Sequence, residues 1–180
     1  MNKLTSNQIL IYALSILVLF AIPIYTIAKN TDTLKDGTEY LFQVEAFDPY
    51  DMFRGNYLDI SFKENSVNCS SSLQQTDNYD EYYVTIRTDK DGFAYFSSIS
   101  TIEPQNTSNY FKTTGYYSPH SKNYIIDTPT RYYMNENKSL GAEQIYRDNI
   151  DSTYVKVRVK NGKMVIVGVY VNDILIDSIE

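Results

Sequence analysis

The sequence predicts a mainly β protein: an N-terminal transmembrane helix followed by one antiparallel β-rich domain with a single short helix. Three observations predict it. Ile9 to Ala28 is a run of 20 residues without a charge. Much of the remainder alternates apolar and polar residues at period two, as half-buried strands do. It also holds 18 tyrosines and no tryptophan. Tyrosine suits a pleated surface, because its ring covers the sheet while its hydroxyl stays wet.

The apolar run comes first. Twenty helical residues rise roughly 30 Å, the thickness of the hydrocarbon core. Lys3 precedes the run and Lys29 closes it. A cleaved signal peptide is the rival reading. Against it, the run is long, no Ala-x-Ala site follows, and Tyr25 and Lys29 stand where cleavage would fall. Residues 1–29 therefore read as a tail and signal anchor, 30–38 as a polar linker, and 39–180 as the β-rich domain. Pro23 is expected to kink the helix or to be tolerated near its outer end. The cationic tail favours a cytoplasmic amino terminus, which puts the domain on the extracytoplasmic side.

Glu39–Phe47 reads as the first strand, and Asp48–Gly55 as a turn. Tyr57–Phe62 alternates, with Leu58, Ile60 and Phe62 on one face. Residues 64–79 are polar and read as a surface loop. Glu81–Arg87 and Phe93–Ile99 flank Asp89-Lys90-Asp91-Gly92, a hairpin signal. Residues 103–122 mix aromatic and turn residues and give no clear pattern. Asn123–Ile126 and Thr130–Met134 are candidate short strands. Leu140–Asn149 is the helix candidate, with Ser139 as its cap and Glu143 near the positive end of its dipole. Tyr154–Lys160 and Lys163–Val171 form a hairpin about Asn161-Gly162, which suits a type I′ turn. Ile174–Ile176 ends the chain.

Composition bounds the function. Apolar residues make up 43% and charged residues 21%, and the net charge is −6. From Lys29 onward, 15 Lys and Arg face 22 acids. Such a domain is repelled by nucleic-acid phosphates, and no basic stripe offsets this. Cys69 is alone, so no intramolecular disulfide forms, and one Cys with the one histidine, His120, builds no zinc site. No cofactor is indicated. Asp48, Asp51 and Asp59 offer oxygens to a calcium ion, but no loop has the Asp-x-Asp-x-Asp-Gly order.

The densest stretch is Asp48-Pro49-Tyr50-Asp51-Met52-Phe53-Arg54-Gly55-Asn56-Tyr57-Leu58-Asp59-Ile60-Ser61-Phe62. This is the pattern of a helix N-terminus: the Asp48 carboxylate can accept from free backbone N–H groups, Pro49 is expected where its missing donor costs nothing, and Asp51 is expected to reinforce the first turn. Gly55 supplies a left-handed stop. The expectation is one helical turn between two strands, with Arg54 buried at its base and paired to an acid of the 136–143 region. The stretch resembles the signature of the GDYXXLXY family of bacterial membrane-anchored proteins. Val84–Gly92, Arg131–Asn137 with Glu143, and Val155–Val171 resemble further blocks of that family. Asn56 stands where the signature has Asp, Phe62 where it has Tyr, and Met134-Asn135 where it has Val-Pro. The resemblance implies an extracytoplasmic domain in the bacterial cytoplasmic membrane, often encoded with a polytopic membrane protein, and brings no assigned biochemical activity.

Three function classes remain. The favoured one is a non-catalytic, membrane-anchored accessory domain of a membrane protein complex, anchored in the bilayer through residues 9–28 and partnered by a polytopic membrane protein. The second is a ligand- or cation-binding domain. The third is a hydrolase, either with a carboxylate pair or with a β fold loosely similar to that of type I signal peptidases. The peptidase chemistry needs a serine activated by a lysine just before the turn, where Ala46-Phe47 stand. The candidate cluster is Asp48, Asp51, Arg54, Asn56, Tyr57, Glu136, Glu143 and Arg147.

Overall fold

The computed structural model describes residues 5–45, 57–68 and 80–178. Helix α1 (Ser6–Asp36) runs unbroken through Pro23. It is long and apolar enough to cross a membrane, and no part of its apolar window is buried. The segment 30–38, expected as a linker, is helical through Asp36. The helix thus outlasts its apolar run by eight residues, roughly 12 Å.

Those residues stay helical because the β domain holds them. The Arg158 guanidinium donates to the carbonyls of Leu34 and Lys35, two acceptors that the end of the helix leaves open. Lys160 reaches Asp32 at 2.8 Å and Asp36 at 3.2 Å. Thr33 is buried. Gly37 then turns the chain into the first strand, with its N–H donated to Thr33 O at 2.9 Å.

The strands follow as β1 (Thr38–Glu45), β2 (Tyr57–Asp59), β3 (Ser61–Phe62), β4 (Ser66–Asn68), β5 (Asp80–Thr88), β6 (Ala94–Ser100), β7 (Tyr110–Ser118), β8 (Asn123–Ile126) and β9 (Arg131–Tyr133). Helix α2 (Glu136–Asp148) leads through a 3₁₀ turn to β10 (Thr153–Lys160), β11 (Lys163–Val171) and β12 (Ile174–Leu175). One sheet has the order β12-β11-β10-β1-β3 and the other β4-β8-β7-β5-β6. β2 and β9 form a separate ribbon. The pairings within the sheets and the ribbon are antiparallel. Single parallel bridges, Leu41 to Phe93 and Phe111 to Gly162, join the two sheets.

The core lies between the sheets. Phe42 from the first sheet sits 5.1 Å from the Phe62 ring and 5.0 Å from Phe96 of the second, and Phe96 lies 5.4 Å from Phe111. Val84, Val155, Val157 and Val169 are fully enclosed. Tyr82 and Tyr124 are core residues as well, with rings 5.3 Å apart. The expectation that tyrosines lie mainly over wet surface is therefore too simple: Tyr82, Val84 and Ile86 share the inward face of β5.

The Asn161-Gly162 turn has φ of +48° and +74°, as a type I′ hairpin demands. Asn172-Asp173 repeats the device between β11 and β12, with φ of +50° and +66°. α2 begins at Glu136, earlier than expected, so Ser139 lies inside the helix rather than capping it. Glu143 is then mid-helix and pairs with Arg147 one turn on, at 2.8 Å.

Candidate functional site

The candidate site is a frame around the signature segment. Asp48, Asp51, Arg54 and Asn56 lie outside the described residues, and with them the expected burial and pairing of Arg54. Cys69 lies outside them too. Glu136 opens α2, but its side chain is likewise outside the description. What is described are the two strands that lead into and out of the segment, and what clamps them.

β1 enters it at Glu45, and β2 leaves it at Tyr57. Tyr146 of α2 clamps the entry. Its hydroxyl donates to Glu45 O at 3.0 Å, and a backbone hydrogen bond ties it to Ser61 of β3. Ser61 Oγ donates to Glu45 Oε1 at 2.9 Å. Burial pushes the Tyr146 hydroxyl up to about 12, with the Glu45 charge adding to the shift and the Ser61 hydrogen bond opposing it. A raised value in the fold stabilises the protonated form. That stability is whole below the ordinary value of 10.0 and is lost as pH rises through about 12. Tyr146→Phe is expected to cost about 1–2 kcal/mol at neutral pH. The gap to wild type should stay constant below about pH 10 and shrink toward pH 12, as measured by urea melts across that range. A gap that widens over that window would count against the clamp.

On the exit side, β2 pairs with β9 in the register Tyr57–Tyr133, Leu58–Tyr132 and Asp59–Arg131. The Tyr57 and Tyr133 rings stand 5.8 Å apart, and the Arg131 guanidinium lies 5.0 Å from the Tyr57 ring centre. A hydrogen bond to the Tyr133 side chain holds Arg131 there. Beneath it, Leu58 and Ile60 are buried. Tyr132 points the other way and donates to Asp177 Oδ2 at 2.8 Å, while Lys138 of α2 donates to Asp177 O at 2.8 Å. Burial, then the Asp177 hydrogen bond and charge, hold the Tyr132 hydroxyl well above its ordinary value. The first turn of α2, β9 and the final 3₁₀ turn are thereby tied together beside β2.

Among the described residues of the expected cluster, Glu143 and Arg147 meet each other on α2. Tyr57 takes part, but through Arg131 and Tyr133, which spacing alone did not single out. Tyr146 was legible in principle, since Ala142, Ile145 and Tyr146 form an i, i+3, i+4 apolar stripe on α2. Tyr132 and Asp177 are 45 residues apart and share no local signal. A cavity of about 540 Å³ opens at the same end of β1, lined by Glu45, Lys63, Phe93, Asp151, Tyr154 and Asp173 among others. No group of three His, Cys, Asp or Glu among the described residues is arranged to hold a metal ion.

The model of one family, described as GDYXXLXY protein, matches residues 19–169. The chain belongs to the GDYXXLXY family. The match starts inside α1 and ends in β11, so the helix exit, β2, β9, α2 and β10 fall within this GDYXXLXY chain's family region, and Asp177 lies beyond it. No curated protein and no solved structure matches the chain.

Proposed function

We propose that this GDYXXLXY protein is a membrane-anchored accessory domain that serves a polytopic membrane partner by presenting a surface at fixed height and orientation. One observation carries the reading: α1 continues past its apolar run and is clamped to the β domain by Arg158 and Lys160. A tether that only kept a domain near the bilayer would gain nothing from such a clamp. A domain that must meet a partner in one pose does gain, because the pose is set before the encounter and less ordering entropy is lost on binding. The cytoplasmic membrane, the extracytoplasmic side and the absence of catalysis belong to this same reading.

The test is purification in mild detergent, followed by mass spectrometry. Wild type should bring down a polytopic membrane protein in stoichiometric amount. Replacing residues 30–37 with a Gly/Ser segment of equal length should leave the β domain folded and abolish that recovery. Equal recovery with the flexible segment would sink the fixed-pose reading. The polar cavity beside Glu45 favours a second reading, binding of a small cationic ligand. Its signature in the same experiment is a lone protein carrying a bound small molecule.

A further inference from the structure

We infer that the junction between α1 and the β10–β11 hairpin binds the phosphate of an anionic phospholipid between Lys29 and Lys163; this rests on the reading of α1 as a membrane span. Lys160 and Lys163 are register partners across the hairpin. Lys160 reaches Asp32 and Asp36, which share a helical face with Lys29. Going down the helix toward the apolar run, Lys160 therefore meets acids and Lys163, beside it, meets a lysine. Lys156 and Arg158 pair with Glu39, as Lys160 does with the aspartates. Among the described residues no carboxylate pairs with Lys163 or Lys29. Burial and then the Lys29 charge lower the Lys163 pKa, the direction expected where one lysine faces another.

Position selects a lipid as the source of that anion. Lys29 directly follows the uncharged run that ends at Ala28. Its backbone then stands at the edge of the hydrocarbon and its ammonium among the headgroups. β10 runs back along the helix, with Arg158 beside Leu34 and Lys160 beside Asp32, which brings the hairpin tip down to the same level. Below it on the same helical face, Tyr25 and Ile22 are exposed and give an acyl chain a surface to lie on, which a free phosphate cannot use. The net negative charge of the domain opposes an anionic membrane surface. Two cations at the point of entry offset this locally.

The full-length chain is placed in nanodiscs of phosphatidylcholine with or without phosphatidylglycerol, and retained lipid is read by native mass spectrometry. Phosphatidylglycerol should be retained in preference. Lys29→Gln and Lys163→Gln should each lower that retention roughly fivefold, and Lys163→Arg should keep it. In phosphatidylcholine alone, Lys163→Gln should melt at or above wild type, since it loses only repulsion. Added phosphatidylglycerol should raise the melting point of wild type and not of that variant. Equal retention by wild type and both Gln variants overturns the inference, as does protection of the detergent-solubilised chain by inorganic phosphate equal to that by phosphatidylglycerol. Recovery of the chain in the soluble fraction after a carbonate wash overturns the span reading, and the inference with it. Stable insertion without lipid preference overturns the inference alone.

Discussion

Phe42→Ala is expected to cost about 3–5 kcal/mol, the range for emptying an aromatic core position. Phe42 is 1% exposed. Its ring is the link between the sheets, touching Phe62 on one side and Phe96 on the other. Removing it takes away both ring contacts and leaves a void that the fixed strands around it cannot close. Since a domain of this size is stable by only about 5–15 kcal/mol, the variant should lose roughly a fifth or more of its stability in chemical denaturation. Phe42→Leu should lose less, because most of the volume stays. A loss below about 1 kcal/mol for the alanine variant would mean that the aromatic row does not hold the sheets together.

Gly37→Val is expected to loosen α1 from the β domain. A Cβ at this position would lie 2.4 Å from Thr33 O, 3.0 Å from Arg158 Cβ and 3.2 Å from Val159 N. Two of the three are backbone atoms, so no side-chain rotation relieves the clash. The φ of −70° and ψ of 148° are ordinary extended values, so the penalty is steric rather than conformational. Overpacking of this kind costs about 1–3 kcal/mol, and the structure can relieve it by moving the helix end away from β10. Hydrogen exchange at the amides of residues 33–37 should then speed up, while the amides of β5 and β7 change little. Unchanged exchange at the junction would contradict the geometry.

The β architecture was legible wherever local chemistry decides. Asn161-Gly162 announces its turn because both positions need positive φ, and the period-two runs of β5 and β10 name their own inward faces. The end of α1 was not legible. Asn30, Thr31, Asp32 and Thr33 are weak helix formers, and what keeps them helical is Arg158 and Lys160, more than 120 residues away. The start of α2 was misplaced because Ser139 looks like a cap, and a cap signal says nothing of whether the helix has already begun. Alternation showed which face Tyr82 shares, but not that the facing sheet would enclose it. In the candidate site, Tyr57 could be named from the signature. Its partners Arg131 and Tyr133 depend on the pairing of β2 with β9, which no local pattern encodes.

The clamp of Arg158 on Leu34 closes over a sequence separation of 124 residues. β1, the first strand of the domain, likewise takes its main partner from β10, near the other end of the chain. At usual rates of synthesis, the last turns of α1 wait roughly ten seconds on the ribosome before the guanidinium that caps them exists. Throughout that interval the edge of β1 that β10 will cover is unpaired, and the short β3 alone is at hand for the other. Assembly of this molecule is therefore governed by its late strands, and any chaperone or translocation factor that attends it must shelter β1 until residue 158 has emerged.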